Sequence, residues 1–201
     1  MVTAVNPILP GFYPDPSICA VGDDYYLVNS TFSYFPGIPI MHSRDLVHWE
    51  QIGNVMNRCS QLPLNGGEHS QGLFAPTIRY HEGTFYVICT NETKGGNFIV
   101  TAQNPAGPWS EPAYLEGADG IDPTIFFDED GKVYYIGTHP ITEGRQYDGE
   151  CHIWIQELDL ANRRLTGNPK DVWSGSMRFV HWPEGPHLYK KDGYYYMMIA
   201  E

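Results

Sequence analysis

Short runs of apolar and aromatic residues recur along the chain, separated by polar stretches rich in glycine and proline, and no long window keeps a helical period. Aligned on their prolines, four stretches read alike: Asp15-Pro16-Ser17-Ile18, Ala75-Pro76-Thr77-Ile78, Asp122-Pro123-Thr124-Ile125 and Gly185-Pro186-His187-Leu188. A turn glycine follows each proline after six to eight residues, at Gly22, Gly83, Gly131 and Gly193. Each glycine leads into an aromatic run: Tyr25-Tyr26, Phe85-Tyr86, Tyr134-Tyr135 and Tyr194-Tyr195-Tyr196. Apolar run, glycine and aromatic run together predict a β-hairpin. In the first three units a further run follows (Ile38 to His42, Phe98 to Ala102, His152 to Leu158), and then a tryptophan, Trp49, Trp109 or Trp173. The interval from proline to tryptophan is 33 residues in the first two units and 50 in the third, where a polar insertion falls near Ile141 to Glu150.

Repeated units of about four strands predict the blades of a β-propeller. A β-sandwich would explain the alternation but not the recurring order. The fourth unit stops at Met197-Met198-Ile199-Ala200-Glu201, inside its hairpin. Residues 1–201 therefore read as an all-β, incomplete propeller, about three blades plus the start of a fourth.

Composition narrows this in a few respects. The 14 tyrosines, 21 glycines and 16 prolines favour short strands and tight turns. A net charge of −12 and a pI near 4.9 argue against a phosphate-binding surface, so nucleic acid is not an expected partner. No stretch approaches the ~20 apolar residues of a membrane span, so no membrane partner is expected. The first residues show neither a basic nor an apolar leader segment, and a cytoplasmic location is expected. The four cysteines form no C-x-x-C pair and are expected to be reduced thiols. Asn29-Ser30-Thr31 and Asn91-Glu92-Thr93 match the glycosylation pattern without implying that it is used.

The chemistry lies in the residue before each motif proline. The inner strands of a propeller line its channel, so equivalent positions of different blades face one another. Asp15 and Asp122 occupy the same slot, and Glu184 stands two residues before Pro186, close to it but with a longer reach. Ala75 fills the slot in the second unit, preceded by Phe74, an aromatic able to act as a sugar platform. Three acids around one small pocket raise one another's proton affinity, so at least one holds its proton near neutral pH. Glycoside hydrolysis needs that combination: one carboxylate as base and another kept protonated as acid. Aspartates before proline also cap turns, but that role does not call for two in register with a glutamate beside the slot of a third unit.

These residues carry a resemblance. The chain is similar to glycoside hydrolase family 43, particularly its β-xylosidase and α-L-arabinofuranosidase members. The likeness runs through Asn6-Pro7-Ile8-Leu9-Pro10-Gly11-Phe12-Tyr13-Pro14-Asp15-Pro16-Ser17, Met41-His42-Ser43-Arg44-Asp45-Leu46-Val47-His48-Trp49, Gly72-Leu73-Phe74-Ala75-Pro76, Gly120-Ile121-Asp122-Pro123 and Glu184-Gly185-Pro186-His187-Leu188-Tyr189-Lys190. It implies a five-bladed propeller and hydrolysis with inversion at the anomeric carbon. It implies Asp15 as general base, Glu184 as general acid, and Asp122 as the acid that orients Glu184 and raises its pKa. Phe32 and Phe74 match positions where aromatic side chains shape the subsite for the non-reducing sugar. Phe74 stands where many relatives carry tryptophan. The resemblance also implies a fifth blade, a pocket histidine and arginine beyond Glu201, and often a C-terminal β-sandwich, none of them in this sequence.

The expected activity is that of an inverting exo-β-xylosidase, with α-L-arabinofuranosidase activity beside it, on short xylo- or arabino-oligosaccharides. The two alternatives are a non-catalytic carbohydrate-binding propeller and an endo-arabinanase of the same family. No cofactor is required, and the eight histidines show no metal-ligand spacing, so no catalytic metal is expected. A structural divalent cation in the complete propeller and a homo-oligomer both remain open. His187 lies close to the channel but reads as a packed histidine. In Phe32-Ser33-Tyr34-Phe35-Pro36-Gly37 a substrate role is expected for Phe32, with Tyr34 and Phe35 left open.

Overall fold

The computed structural model describes residues 3–62 and 67–201, and these contain strands, turns and no helix. The first sheet holds β1 (Ser17–Val21), β2 (Asp24–Val28), β3 (Gly37–Ser43) and β4 (Glu50–Met56). The second holds β5 (Thr77–His81), β6 (Thr84–Asn91), β7 (Gly96–Ala102) and β8 (Ala113–Tyr114). The third holds β9 (Ile121–Phe127), β10 (Val133–Pro140), β11 (Cys151–Asp159) and β12 (Arg164–Trp173), and a final hairpin pairs β13 (Glu184–Lys191) with β14 (Tyr194–Ala200). Each sheet is antiparallel with its strands in sequence order, as in a propeller blade.

The turn glycines do what the pattern predicts. Glu82-Gly83 and Asp192-Gly193 both have positive φ at each residue, the backbone of the tight turn that matches strand twist.

Period-two alternation explains why the middle blades are apolar on both faces. On β6, Phe85, Val87 and Cys89 pack against Val28, Ile38 and Ile40 of the first blade, whereas Ile88 packs with Ile125, Tyr135 and Trp154 of the third. On β9 and β10 the neighbours of Ile125 and Tyr135, namely Phe126 and Ile136, turn the other way, toward Leu188, Met197 and Ile199. Successive residues of one strand thus serve two different inter-blade cores. A one-residue slip would exchange them, so register is strongly specified.

Polar groups join blades as well. Asn97 is 1% exposed, and burying an unpaired amide costs about 1–3 kcal/mol. Its Nδ2 donates to Ala118 O and Gly120 O at 2.7 and 3.0 Å, and its Oδ1 accepts from Thr90 at 2.6 Å. The second blade thereby holds the loop that leads to Asp122.

The first strands β1, β5, β9 and β13 surround one axis. Ile78 N–H donates to the Ser17 hydroxyl at 3.1 Å, Arg79 donates to the Thr124 hydroxyl at 2.9 Å, and His187 meets Ser17 at 3.3 Å.

The expected equivalence of the three tryptophans fails. Trp49 and Trp109 precede the fourth strands of their blades, whereas Trp173 ends β12. β12 runs through ten residues, so the excess interval in the third unit combines the 141–150 insertion with a longer outer strand.

Candidate active site

Three of the four slots share one backbone conformation. Asp15, Asp122 and Gly185, each immediately before its motif proline, have φ of 51°, 53° and 60°. A following proline favours extended backbone, so each departs from that preference, at a cost of order 1–3 kcal/mol where the residue is not glycine. The fourth unit gives the slot to glycine and carries its carboxylate one residue earlier, on Glu184, which opens β13.

Asp15 is exposed at the head of β1 and is supported from the end of β2. Ser30 donates its hydroxyl to Asp15 Oδ2. Asn29 Nδ2 donates to the carbonyls of Tyr13 and Pro14, each at 3.0 Å, and Ser30 N–H donates to Pro14 O at 3.2 Å. Asn29 and Ser30 are 1% and 0% exposed, so the glycosylation-like triplet is in fact the buttress of this loop.

Asp122 is the most enclosed of the three acids. Burial, with the charges of Glu184 and Asp15 adding to it, pushes its carboxyl up to about 7, although the amides of Gly185 and Ala75 are directed at it. Glu184 moves the same way, through burial first and the Asp15 charge second. The acids of the first, third and fourth units are thus close enough to act on one another, and the larger shift falls on Asp122. Ala75, in the slot without a carboxylate, contributes a backbone N–H instead.

The sign of the Asp122 shift gives a test. The folded protein holds this proton more tightly than the unfolded chain, whose value lies near 3.8. Ionised Asp122 therefore destabilises the fold, with a penalty that grows from about pH 4 and is complete above about pH 7. Asp122→Asn is expected to melt several degrees above the parent at pH 8, with the gain shrinking toward zero at pH 4. Thermal unfolding at the two pH values checks this, and no gain at pH 8 would refute it.

The two predicted aromatics come together. The rings of Phe32 and Phe74 lie 5.8 Å apart, edge to face, and Phe32 exchanges two backbone hydrogen bonds with Leu73. Phe12 extends the cluster, 6.1 Å from Phe32 and 6.2 Å from Tyr34, and is 61% exposed. In the sequence Phe12 has no assigned role, and its position three residues before Asp15 is the one signal for it.

His187 is packed, as expected. A carbonyl only accepts, so His187 Nδ1 donates to Gly185 O at 3.0 Å, and Nε2 accepts from Ser17. Burial and the neighbouring Arg79 cation keep the imidazole below its ordinary range, which fits this neutral form. Among the described residues, no group of three or more His, Cys, Asp or Glu side chains is arranged to hold a metal ion.

Fold and site together define a β-propeller with three acids from three blades gathered at the heads of its first strands. The chain belongs to the glycosyl hydrolases family 43, whose profile matches residues 4–201. Its blades are those of the five-bladed propeller of that family, of which it forms about three to four. It is 62% identical to a xylosidase/arabinosidase of Butyrivibrio fibrisolvens, covering 100% of this chain and 39% of that one. It is 47% identical to a non-reducing end α-L-arabinofuranosidase of Bacteroides ovatus, covering 98% and 35%. The crystal structure of a xylan β-1,4-xylosidase from Bacillus halodurans superposes with a TM-score of 0.89 at 45% identity, over 99% of this chain and 39% of that one. The chain thus spans about two fifths of the length of the relatives it matches.

Proposed function

We propose that the protein containing this chain is an inverting, exo-acting β-xylosidase with α-L-arabinofuranosidase activity on short xylo-oligosaccharides. The observation that carries the reading is the convergence of three acids from three different blades: the charges of Asp15 and Glu184 both reach Asp122, and that of Asp15 reaches Glu184. In the proposed reaction Asp15 takes a proton from water, whose oxygen attacks the anomeric carbon from the face opposite the leaving group. The glycosidic C–O bond breaks as Glu184 gives its proton to the departing oxygen. Asp15, in its ionised form, favours the protonated Glu184, and Asp122 shares the site with both. Phe32, Phe74 and Phe12 offer faces and edges to the sugar ring.

A carbohydrate-binding propeller without activity would have no use for Asp122, whose ionisation is costly in the fold. An endo-acting enzyme needs an open groove. Here the 141–150 insertion stands against the segment before Glu184, with the Tyr147 ring 5.2 Å from Phe179 and 5.7 Å from His181. That wall favours exo action. The choice of pentose rests on relatives named for both sugars.

Proton NMR during hydrolysis of an aryl β-xyloside by the full-length protein tests the stereochemistry. The first xylose released is expected to be the α anomer, converting to the equilibrium mixture later. β-Xylose appearing first would mean retention and would sink the proposal.

A further inference from the structure

Glu184 opens β13, and the strand ladder breaks immediately after it. Glu184 pairs with Ala200, and the next registered pair is His187 with Met198, so the ladder is irregular through Gly185 and Pro186. The segment before it is no more regular, since Phe179 and Trp182 have φ of 64° and 53°. Such a course is not what these bulky residues choose by themselves.

What fixes the peptides around Glu184 comes from other strands. Thr138, on β10 and 1% exposed, donates its hydroxyl to Pro183 O at 2.8 Å. Trp182 N–H donates to Gly149 O, in the third-blade insertion, at 2.9 Å. On the far side His187 holds Gly185 O at 3.0 Å. The Pro183 carbonyl and the Glu184 N–H belong to one rigid peptide plane. The Thr138 bond therefore sets the direction in which the Glu184 side chain leaves the backbone. Gly149 is shaped for the same contact: its φ is 73°, and a Cβ there would stand 2.7 Å from His181 Nδ1 and 3.0 Å from Trp182 Nε1.

The geometry points to Thr138 as a positioning residue for Glu184, with the 141–150 insertion acting beside it through Gly149. This rests on the proposed acid role of Glu184. The third blade then does two jobs at the site: it supplies Asp122, and it anchors the Glu184 carboxyl whose charge reaches Asp122. The insertion that lengthens the third unit gains a purpose beyond narrowing the groove.

The test compares xylobiose with a dinitrophenyl β-xyloside in the full-length protein. Thr138→Val keeps the volume and removes the hydroxyl. It is expected to lower kcat on xylobiose about 100-fold, the scale of a 1 Å misplacement, with KM little changed. The dinitrophenyl substrate, whose leaving group needs no proton, is expected to lose little, and Thr138→Ser is expected to restore xylobiose cleavage. If Thr138→Val does not fold, Gly149→Ala reads the same coupling from the loop side, with the same selective loss expected. Equal losses on both substrates, or full activity on xylobiose, would overturn the inference. Glu184→Gln runs in parallel. If it shows the substrate dependence and the Thr138 and Gly149 variants do not, only the positioning role fails. If it lacks the dependence, the acid role falls and this inference with it.

Discussion

Asp15→Asn is expected to lower kcat/KM by about 10⁴-fold on natural and activated xylosides alike, the upper range for loss of a general base. The loss is independent of the leaving group because the attacking water must be deprotonated whatever departs. Asparagine is the preferred replacement, since it tolerates the left-handed backbone at φ 51° and still accepts a hydrogen bond from Ser30. Alanine would add backbone strain of about 1–2 kcal/mol and blur the reading. Azide supplies a nucleophile that needs no base. With the dinitrophenyl β-xyloside it is expected to restore turnover in Asp15→Asn and to yield the α-xylosyl azide, identified by NMR. A variant with ordinary activity would return Asp15 to the role of a turn residue.

Much of this site was legible in the sequence because propeller symmetry turns a linear repeat into a spatial one. Asp15 and Asp122 are 107 positions apart, yet their equal place before the motif proline was enough to bring them to one mouth. The structure adds that their backbone angles match within a few degrees, and that Gly185 completes the set. Strand pairs and turn glycines were readable for the same reason: each is a local pattern repeated.

What could not be read are the tethers, which have no local pattern. Thr138 reaches Pro183 across 45 positions and His187 reaches Ser17 across 170. A lone threonine or serine in a strand carries no mark of the partner it bonds. Asn29-Ser30-Thr31 matched a surface signal by coincidence, because the residue types that accept a glycan are also those that bond to backbone at a strand end. Arg79 gave no sign of being a channel residue. It donates to Thr124 and to Ile78 O, and its guanidinium lies 5.5 Å from the Tyr189 ring centre. The tryptophan spacing misled for the opposite reason. Trp49 and Trp109 share a place in their blades, but Trp173 fell at a plausible interval only because two separate lengthenings of the third blade added together.

Glu184→Ala separates the proposed acid from every structural role that residue has. The reducing-end xylose of xylobiose leaves as a sugar alkoxide unless protonated, so kcat/KM on xylobiose is expected to fall by about 10³–10⁴-fold. The dinitrophenyl β-xyloside departs as a stabilised anion, and its rate is expected to fall less than about tenfold. The two substrates also differ in pH dependence. Burial and the Asp15 charge hold the Glu184 carboxyl above the ordinary carboxylate range, so in the parent the acid form survives to higher pH and activity on xylobiose falls on the alkaline side as that proton is lost. Glu184→Ala has no such proton, and its residual activity is expected to lack that alkaline limb. A collapse of the pocket would depress both substrates together and leave the shape of the profile unchanged. Equal losses, with the limb intact, would therefore remove Glu184 from the reaction, and the acid would have to be sought in Asp122, whose proton the fold holds to about pH 7.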